Sequence, residues 1–438
     1  MASTIDRSDL YDVEVHGHAP TGKLQPTPWM TAPETQTLFA ALGADGAEVR
    51  FVGGCVRDAL ANRPVNDIDV ATTSRPNDTV TLLENAGIRA IPTGIEHGTV
   101  TATLGDQTFE VTTLREDVAT DGRRATVSYT DDWFADAKRR DFTFNAMTAT
   151  LDGDVYDPYN GIADLAHGRV QFIGKAKDRI AEDYLRILRF FRFQATHGRP
   201  PANKDALSAC RQAADQLATL SGERVRAEML RILGTLGVAD TLLLMRGEGV
   251  LQQVFPEAGD VGRLRAMVWL TTRAIKLDSV SFDPILNLAA ALTIDGVETL
   301  ADRWKLSGKD RTRLKKMSTP LEIEPDASGG TVQKYLYIHG ADQLRDRALL
   351  EWAGEVSMDA RLPATRTAAW VALLEQAETW NASEFPIFPL TGNDVMAMGI
   401  DPGPQVGEFL AHARDWWCDG GFVASKDECL HHLSKIVD

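Results

Sequence analysis

Residues 51–58 read Phe-Val-Gly-Gly-Cys-Val-Arg-Asp, and residues 66–70 read Asn-Asp-Ile-Asp-Val. No other stretch constrains the fold as much. Val49–Val52 has the character of a strand, Gly53-Gly54 ends it and opens a helix over Val56–Ala61, and Ile68–Ala71 reads as a second strand. Asp67 and Asp69 alternate, so an extended chain points both carboxylates to one face. Two like charges side by side repel each other, and a hard divalent ion such as Mg²⁺, bound through oxygen, is their natural use. Two such ions, about 3.5–4 Å apart, can clamp the attacking and leaving oxygens of a phosphoryl transfer. The bare N–H groups behind Gly53 and Gly54 suit a triphosphate. Arg57, one turn into the helix, is placed for a bidentate pair with phosphate. A lone Asp-x-Asp is usually a solvated turn, and a lone Gly-Gly is equally uninformative. The specific signal is the ordered set of strand, Gly-Gly, helix, strand and Asp-x-Asp within 20 residues.

The surrounding pattern is a small α/β head. Thr35–Leu42 and Thr79–Ala86 read as helices, and Thr99–Leu104 and Thr108–Thr113 alternate around Gly105-Asp106 as a hairpin. Glu110 lies in the second of these strands. It becomes a third metal carboxylate if that strand runs beside Asp67–Asp69, and is otherwise a charge on an exposed face. Beyond about residue 170 strand signals nearly vanish, and Asp178–Thr196, Lys204–Ala218 and Glu223–Leu236 read as helices. The expected organisation is an N-terminal extension (1–30), a mixed α+β head (31–170), a helical neck (171–236) and a helical body and tail (237–438).

Composition sets limits on function. The chain has 438 residues, 44% of them hydrophobic, and a net charge of −16, which argues against nonspecific polyanion binding by the whole surface. Charge is uneven, however: Lys175–Arg231 carries 12 Lys/Arg against 7 Asp/Glu, so a local nucleic-acid contact stays open. No apolar run reaches the roughly 20 residues of a membrane span, and no signal peptide is visible, so no membrane partner is expected. Four scattered cysteines without a CxxC pair point to a reducing, cytoplasmic setting.

Two later blocks carry chemistry. Arg139-Arg-Asp-Phe-Thr-Phe-Asn-Ala-Met147 has adjacent arginines that cannot share a helix or strand face, and Arg140 is the expected phosphate or ribose contact; Phe142, Phe144 and Met147 are expected in the core. In Asp178–Thr196 the apolar stripe leaves Glu182, Arg186 and Arg189 on the opposite face with Asp183 at its edge. The bland reading is a solvated face with helix salt bridges. The chemical reading is that a carboxylate accepts from an amino group while a guanidinium donates to a ring nitrogen. Cytosine and adenine place an exocyclic amino donor beside a ring-nitrogen acceptor, and guanine and uracil present the reverse order. A fixed Asp183–Arg186 pair would thus accept C and A.

In this order, the Gly53–Asp58 and Asp67–Asp69 block, Arg139–Met147, Asp157-Pro-Tyr-Asn-Gly161, Glu182–Arg186 with Arg189, and Ser221-Gly-Glu-Arg-Val225 resemble the class II tRNA nucleotidyltransferase and bacterial poly(A) polymerase family, whose head is related to that of DNA polymerase beta. The resemblance implies a polymerase-beta-like head on an all-α neck, body and tail. It implies Mg²⁺ on Asp67 and Asp69; nucleotide contacts from Gly53, Gly54, Arg57 and Arg140; and a base template of Asp183, Arg186 and Arg189 for CTP and ATP. The implied partner is tRNA, gripped by the body through Arg311, Arg313, Lys315 and Lys316, with no obligate protein partner. The family carries a flexible loop that helps switch specificity from C to A, and Arg115–Arg124 occupies its place at full length. The expected activity is addition of CCA to the tRNA 3′ end. Poly(A) polymerase activity, or partial CC or A addition, is the alternative.

Overall fold

The computed structural model describes residues 19–121, 124–259, 261–359 and 361–437. Residues 1–18 of the expected N-terminal extension therefore lie outside it. The chain divides into two compact units, Met1–Pro256 and Glu257–Asp438.

The first unit is built on an eight-stranded mixed sheet. Its strands are β1 (Gly22–Lys23), β2 (Val49–Val52), β3 (Ile68–Thr72), β4 (Arg89–Gly94), β5 (Thr99–Leu104), β6 (Gln107–Thr113), β9 (Thr148–Ala149) and β10 (Asp154–Tyr156). The order is β1-β10-β9-β2-β3-β6-β5-β4. Between β6 and β9 in sequence, β7 (Arg115–Asp121) and β8 (Arg124–Tyr129) pair as a separate hairpin. Thus the described part of the segment expected as a flexible loop is a two-stranded ribbon; Gly122 and Arg123 lie outside the described residues. Its Val, Thr and Tyr residues favour that extended state.

Among the described residues only β3 and β6 run parallel, in the register Ile68↔Phe109, Asp69↔Glu110 and Val70↔Val111. Ile68, Val70, Phe109 and Val111 are buried, at 6% exposure or less, and fix one face against the core. The period of two then turns Asp69 and Glu110 together to the other face. Helix α1 (Gly54–Leu60) follows β2 directly. Gly53 makes that turn at φ +68, a backbone that strains any other residue, and a Cβ there would sit 3.1 Å from Arg140 Nη1 and press on that guanidinium.

The neck departs from expectation at two points. The run expected as one helix over Lys204–Ala218 is an α-helix over Lys204–Gln212 followed by a 3-10 helix over Ala214–Thr219. Asp178–Thr196 is two helices, α3 (Ala176–Glu182) and α4 (Leu185–Thr196), with α2 (Trp133–Lys138) lying earlier in the head. Asp183 breaks the run with extended backbone at φ −157, ψ 108, and its Oδ1 accepts from Leu185 N–H at 3.1 Å. A short acidic side chain competing for the first backbone donors is a sufficient cause. Helix α5 (Gly222–Leu233) packs against α4.

Phe142, Phe144, Phe172, Phe190, Phe191 and Phe193 form the aromatic centre beneath this region, each 3% exposed or less. Phe193 meets Phe142 and Phe144 edge-on at 5.2 and 5.3 Å. Its ring also lies under three guanidiniums, those of Arg57 at 5.0 Å, Arg189 at 5.5 Å and Arg192 at 4.1 Å. Phe193→Ala is expected to cost about 3–5 kcal/mol of stability, read from urea midpoints, and to loosen all three arginines. A loss below about 1 kcal/mol would mean the site closes over the cavity.

The second unit is helical. Ala341–Met358 packs against Val261–Trp269 and Ala364–Glu378. Towards the C-terminus, Leu390, Val395, Ala413, Trp417, Phe422 and Leu433 form a separate small core. Within it, Thr391 and Asp394 make a capping box at the start of Gly392–Met396. Among the described residues no helix is long and apolar enough to cross a membrane.

Candidate active site

The carboxylates come first. Asp67 lies one residue before β3 rather than within it, is exposed, and keeps the alternation that places it beside Asp69. Glu110 sits directly across from Asp69 in the parallel ladder. Burial and the Glu110 carboxylate push the Asp69 carboxyl up to about 6, Asp67 adds to the push, and Arg140 and Arg57 oppose it. This is a like-charge cluster whose repulsion a cation relieves. Among the described residues no three His, Cys, Asp or Glu groups form a metal cage. The oxygen-only pair fits Mg²⁺, which usually takes one or two protein carboxylates and completes its shell with substrate phosphate and water.

The cationic side of the site is held by a set of acids. Asp136, buried in α2, takes Arg139 on Oδ1 at 2.6 Å and Arg140 on Oδ2 at 3.0 Å. The two adjacent arginines thus share one partner rather than dividing between faces, because α2 ends at Lys138 and the turn after it brings both guanidiniums back. Arg140 Nη1 still reaches Asn145 O at 3.4 Å, beside Gly53. Arg57 is clamped by Asp58, with Nε and Nη2 at 2.9 and 2.8 Å, while its Nη1 donates to Asn145 Oδ1 at 2.7 Å. Asn145 Nδ2 in turn donates to Asp141 Oδ1 at 2.9 Å, and Arg189 Nε donates to Asp141 Oδ2 at 2.6 Å. One chain of hydrogen bonds therefore joins Arg57, expected at the triphosphate, to Arg189, expected at the base.

Burial alone would raise the Asp141 carboxyl; Arg189, Asn145 and Arg186 outweigh it and hold it at about 2. That lies below the ordinary value of about 3.9 for an unfolded aspartate. The stability linked to Asp141 is therefore present above pH ~4 and lost as pH falls towards ~2. Asp141→Asn is expected to cost about 2 kcal/mol near neutral pH and to converge with wild type near pH 2. Urea midpoints between pH 6 and pH 2 test this, and parallel curves would contradict it.

Asp183 and Arg186, expected to face one base together, each have a protein partner of their own. Asp183 Oδ2 accepts from Arg224 Nη2 at 2.7 Å. Arg186 donates to Glu182 Oε2 at 2.6 Å and to Arg179 O at 2.7 Å. Asp183 lies in extended backbone between α3 and α4, while Glu182 at the end of α3 pairs with Arg186 in α4. Arg189 lies 3.7 Å from Glu228, which also accepts from Arg192 at 2.7 Å.

Residues 49–171 match the poly A polymerase head domain, and residues 203–260 match the probable RNA and SrmB-binding site of polymerase A. The chain is similar to the mitochondrial CCA tRNA nucleotidyltransferase 1 of Mus musculus, 33% identical over 93% of either chain. The chain belongs to the CCA tRNA nucleotidyltransferase family. The Danio rerio enzyme of the same name is 36% identical over 89% of this chain and 87% of its own. Among solved structures, the Bacillus stearothermophilus CCA-adding enzyme in complex with CTP superposes with a TM-score of 0.74, at 26% identity, over 93% of this chain and 98% of that one.

Of the residues expected at the site, the first unit carries Gly53, Gly54, Arg57, Asp67, Asp69, Glu110 and Arg140. It also supplies Asp183, Arg186 and Arg189. Sequence reasoning gave no role to Asp58, Asp136, Asp141, Asn145, Arg224 or Glu228, although each stands in or beside a block already singled out. The available signal was that every expected phosphate or base arginine needs an acid to orient it. The four basic residues expected to grip RNA lie in the second unit and are not equivalent there. Arg313 is taken by Asp346 at 2.7 Å and by Asp283. Arg311 pairs with Asp302 and lies 3.4 Å from Glu298, and Lys315 lies 3.6 Å from Glu298. Lys316 lines a groove with Lys309, His339 and Arg345.

Proposed function

We propose that this protein adds CCA to the 3′ end of tRNA, taking CMP from CTP and AMP from ATP and releasing pyrophosphate at each addition. One observation carries the reading: a carboxylate cluster and an oriented set of arginines occur in one unit of a chain belonging to a CCA-adding family, with Asp183, Arg186 and Arg189, which we read as the base template, in the same unit. The tRNA 3′-hydroxyl gives up its proton to water and its oxygen forms a bond to the α-phosphorus, the α–β bridging P–O bond breaks, and the electron pair leaves on pyrophosphate. A divalent cation, Mg²⁺ on this reading, held by Asp67 and Asp69 would supply Lewis acidity and neutralise the developing charge. Glu110, across from Asp69, stands beside these ligands as a third carboxylate. Arg57 and Arg140 orient the triphosphate, and Gly53 and Gly54 leave it room to approach the backbone. Most of the acceleration then comes from positioning and charge.

Asp183 accepts from the exocyclic amino group of C or A, and Arg186 and Arg189 donate to the base. We place the tRNA body contacts on the second unit, with Lys316 the least encumbered of the four expected cations. The four cysteines are free and buried, which fits a reducing compartment, here the cytoplasm; both relatives above carry mitochondrial names.

Poly(A) polymerase is the second reading, because both matched domains carry that name. A tRNA transcript ending before CCA separates the two. With ATP alone, a CCA-adding enzyme leaves the transcript without a tail, and CTP then allows addition to begin. Long A tails from ATP alone would establish the second reading.

A further inference from the structure

We infer that Arg224 is a specificity-determining residue, which fixes the Asp183 carboxylate in the orientation that accepts C and A and rejects U and G. The inference rests on the reading of Asp183 as part of the base template. Both oxygens of Asp183 are held by donors that cannot easily move. Oδ1 accepts from the Leu185 N–H at the start of α4, at 3.1 Å. Oδ2 accepts from Arg224 Nη2 at 2.7 Å. Two fixed donors define the plane of the carboxylate. Each oxygen keeps further acceptor capacity, and the side chain is 24% exposed, so a base can still reach it.

This restraint does more than improve binding. A carboxylate free to rotate could turn away from the keto oxygen of a wrong base and lower the cost of accepting it. A carboxylate pinned at both oxygens keeps a lone pair facing the keto oxygen, so repulsion rejects U and G. Discrimination of this kind depends on leaving the wrong partner with an unmet polar contact.

The placement of Arg224 is otherwise unfavourable. It lies in the first turn of α5, where the helix dipole favours acids over cations. The same helix presents Glu228 to Arg192 and Arg189 one turn further on. The helix is anchored by buried Val225, Met229, Ile232 and Leu233, with Glu228 buried beside them. Helix α5 thus supports the template at two points, Asp183 through Arg224 and Arg189 through Glu228.

The test compares wild type, Arg224→Gln and Arg224→Lys in single-nucleotide addition. CTP competes against UTP on tRNA ending before CCA, and ATP against GTP on tRNA ending in CC. Arg224→Gln is expected to lower the C-over-U and A-over-G ratios at least tenfold, with misincorporated U and G appearing in the product. Arg224→Lys keeps a donor and is expected to recover part of the ratio. A merely structural role would slow all four nucleotides alike, and unchanged ratios in both variants would overturn the inference. If circular dichroism shows Arg224→Gln unfolded, the Arg224→Lys ratios decide. If wild type adds neither C nor A, the proposed function fails instead, so the two failures are distinguishable.

Discussion

Asp69→Asn is expected to abolish nucleotide addition with the fold intact. Losing several kcal/mol of charge stabilisation at the reacting phosphate corresponds to a fall in rate of about 10³-fold or more. The substitution is nearly isosteric, and it removes one charge from a cluster already crowded by Glu110 and Asp67. Thermal stability without divalent metal is therefore expected to be equal to wild type or higher. Adding Mg²⁺ is expected to raise the melting temperature of wild type, through binding to the folded state alone, and to leave that of Asp69→Asn nearly unchanged. Addition rates and melting curves, each with and without Mg²⁺, provide the check. An Asp69→Asn protein within tenfold of wild-type activity would remove the carboxylates from the mechanism.

Asn145→Ala is expected to damage both ends of the site at once. Its amide is the single bridge between Arg57 and Asp141, and through Asp141 to Arg189. Removing it leaves buried Asp141 short of a donor and frees Arg57 to follow Asp58 alone. Leaving a buried polar partner unsatisfied costs about 1–3 kcal/mol of stability. Misplacing the triphosphate arginine by about 1 Å is enough for roughly a 10²-fold loss in kcat/KM. Asn145→Asp places a carboxylate next to Asp141 and is expected to be worse than alanine at neutral pH. A normal kcat/KM for Asn145→Ala, for both CTP and ATP, would show that the two ends work independently.

Much of this site was legible because its chemistry is local. The period of two put Asp67 and Asp69 on one face, whereas the pairing of β6 beside β3, which sets Glu110 across from Asp69, was an open alternative in the sequence and is a long-range feature of the sheet. Gly53 was legible as a turn and found its physical reason in a positive φ and in Arg140 beside it. What escaped was non-local or depended on helix ends. Hydrophobic periodicity runs straight through Asp183, because the residues on either side keep helical spacing; the break comes from a side-chain hydrogen bond to Leu185 N–H that no periodicity encodes. Arg224 is 41 residues from Asp183, and Asn145 is 88 from Arg57. Asp136 was missed as the common partner of Arg139 and Arg140 because the turn after α2 is set by tertiary packing. In the second unit the basic run Arg311–Lys316 reads as one patch, yet Arg313 is taken by Asp346 and Asp283, and Lys316 lines the same groove as these three residues.

The most direct measurement uses three tRNA transcripts, ending before CCA, after C and after CC, each incubated with CTP, ATP and Mg²⁺ and sequenced at the 3′ end. Wild type is predicted to convert all three to the same CCA terminus and stop there, and Asp67→Ala to leave all three unchanged. Unlimited A addition, a stop at CC, or no addition by wild type would contradict the account.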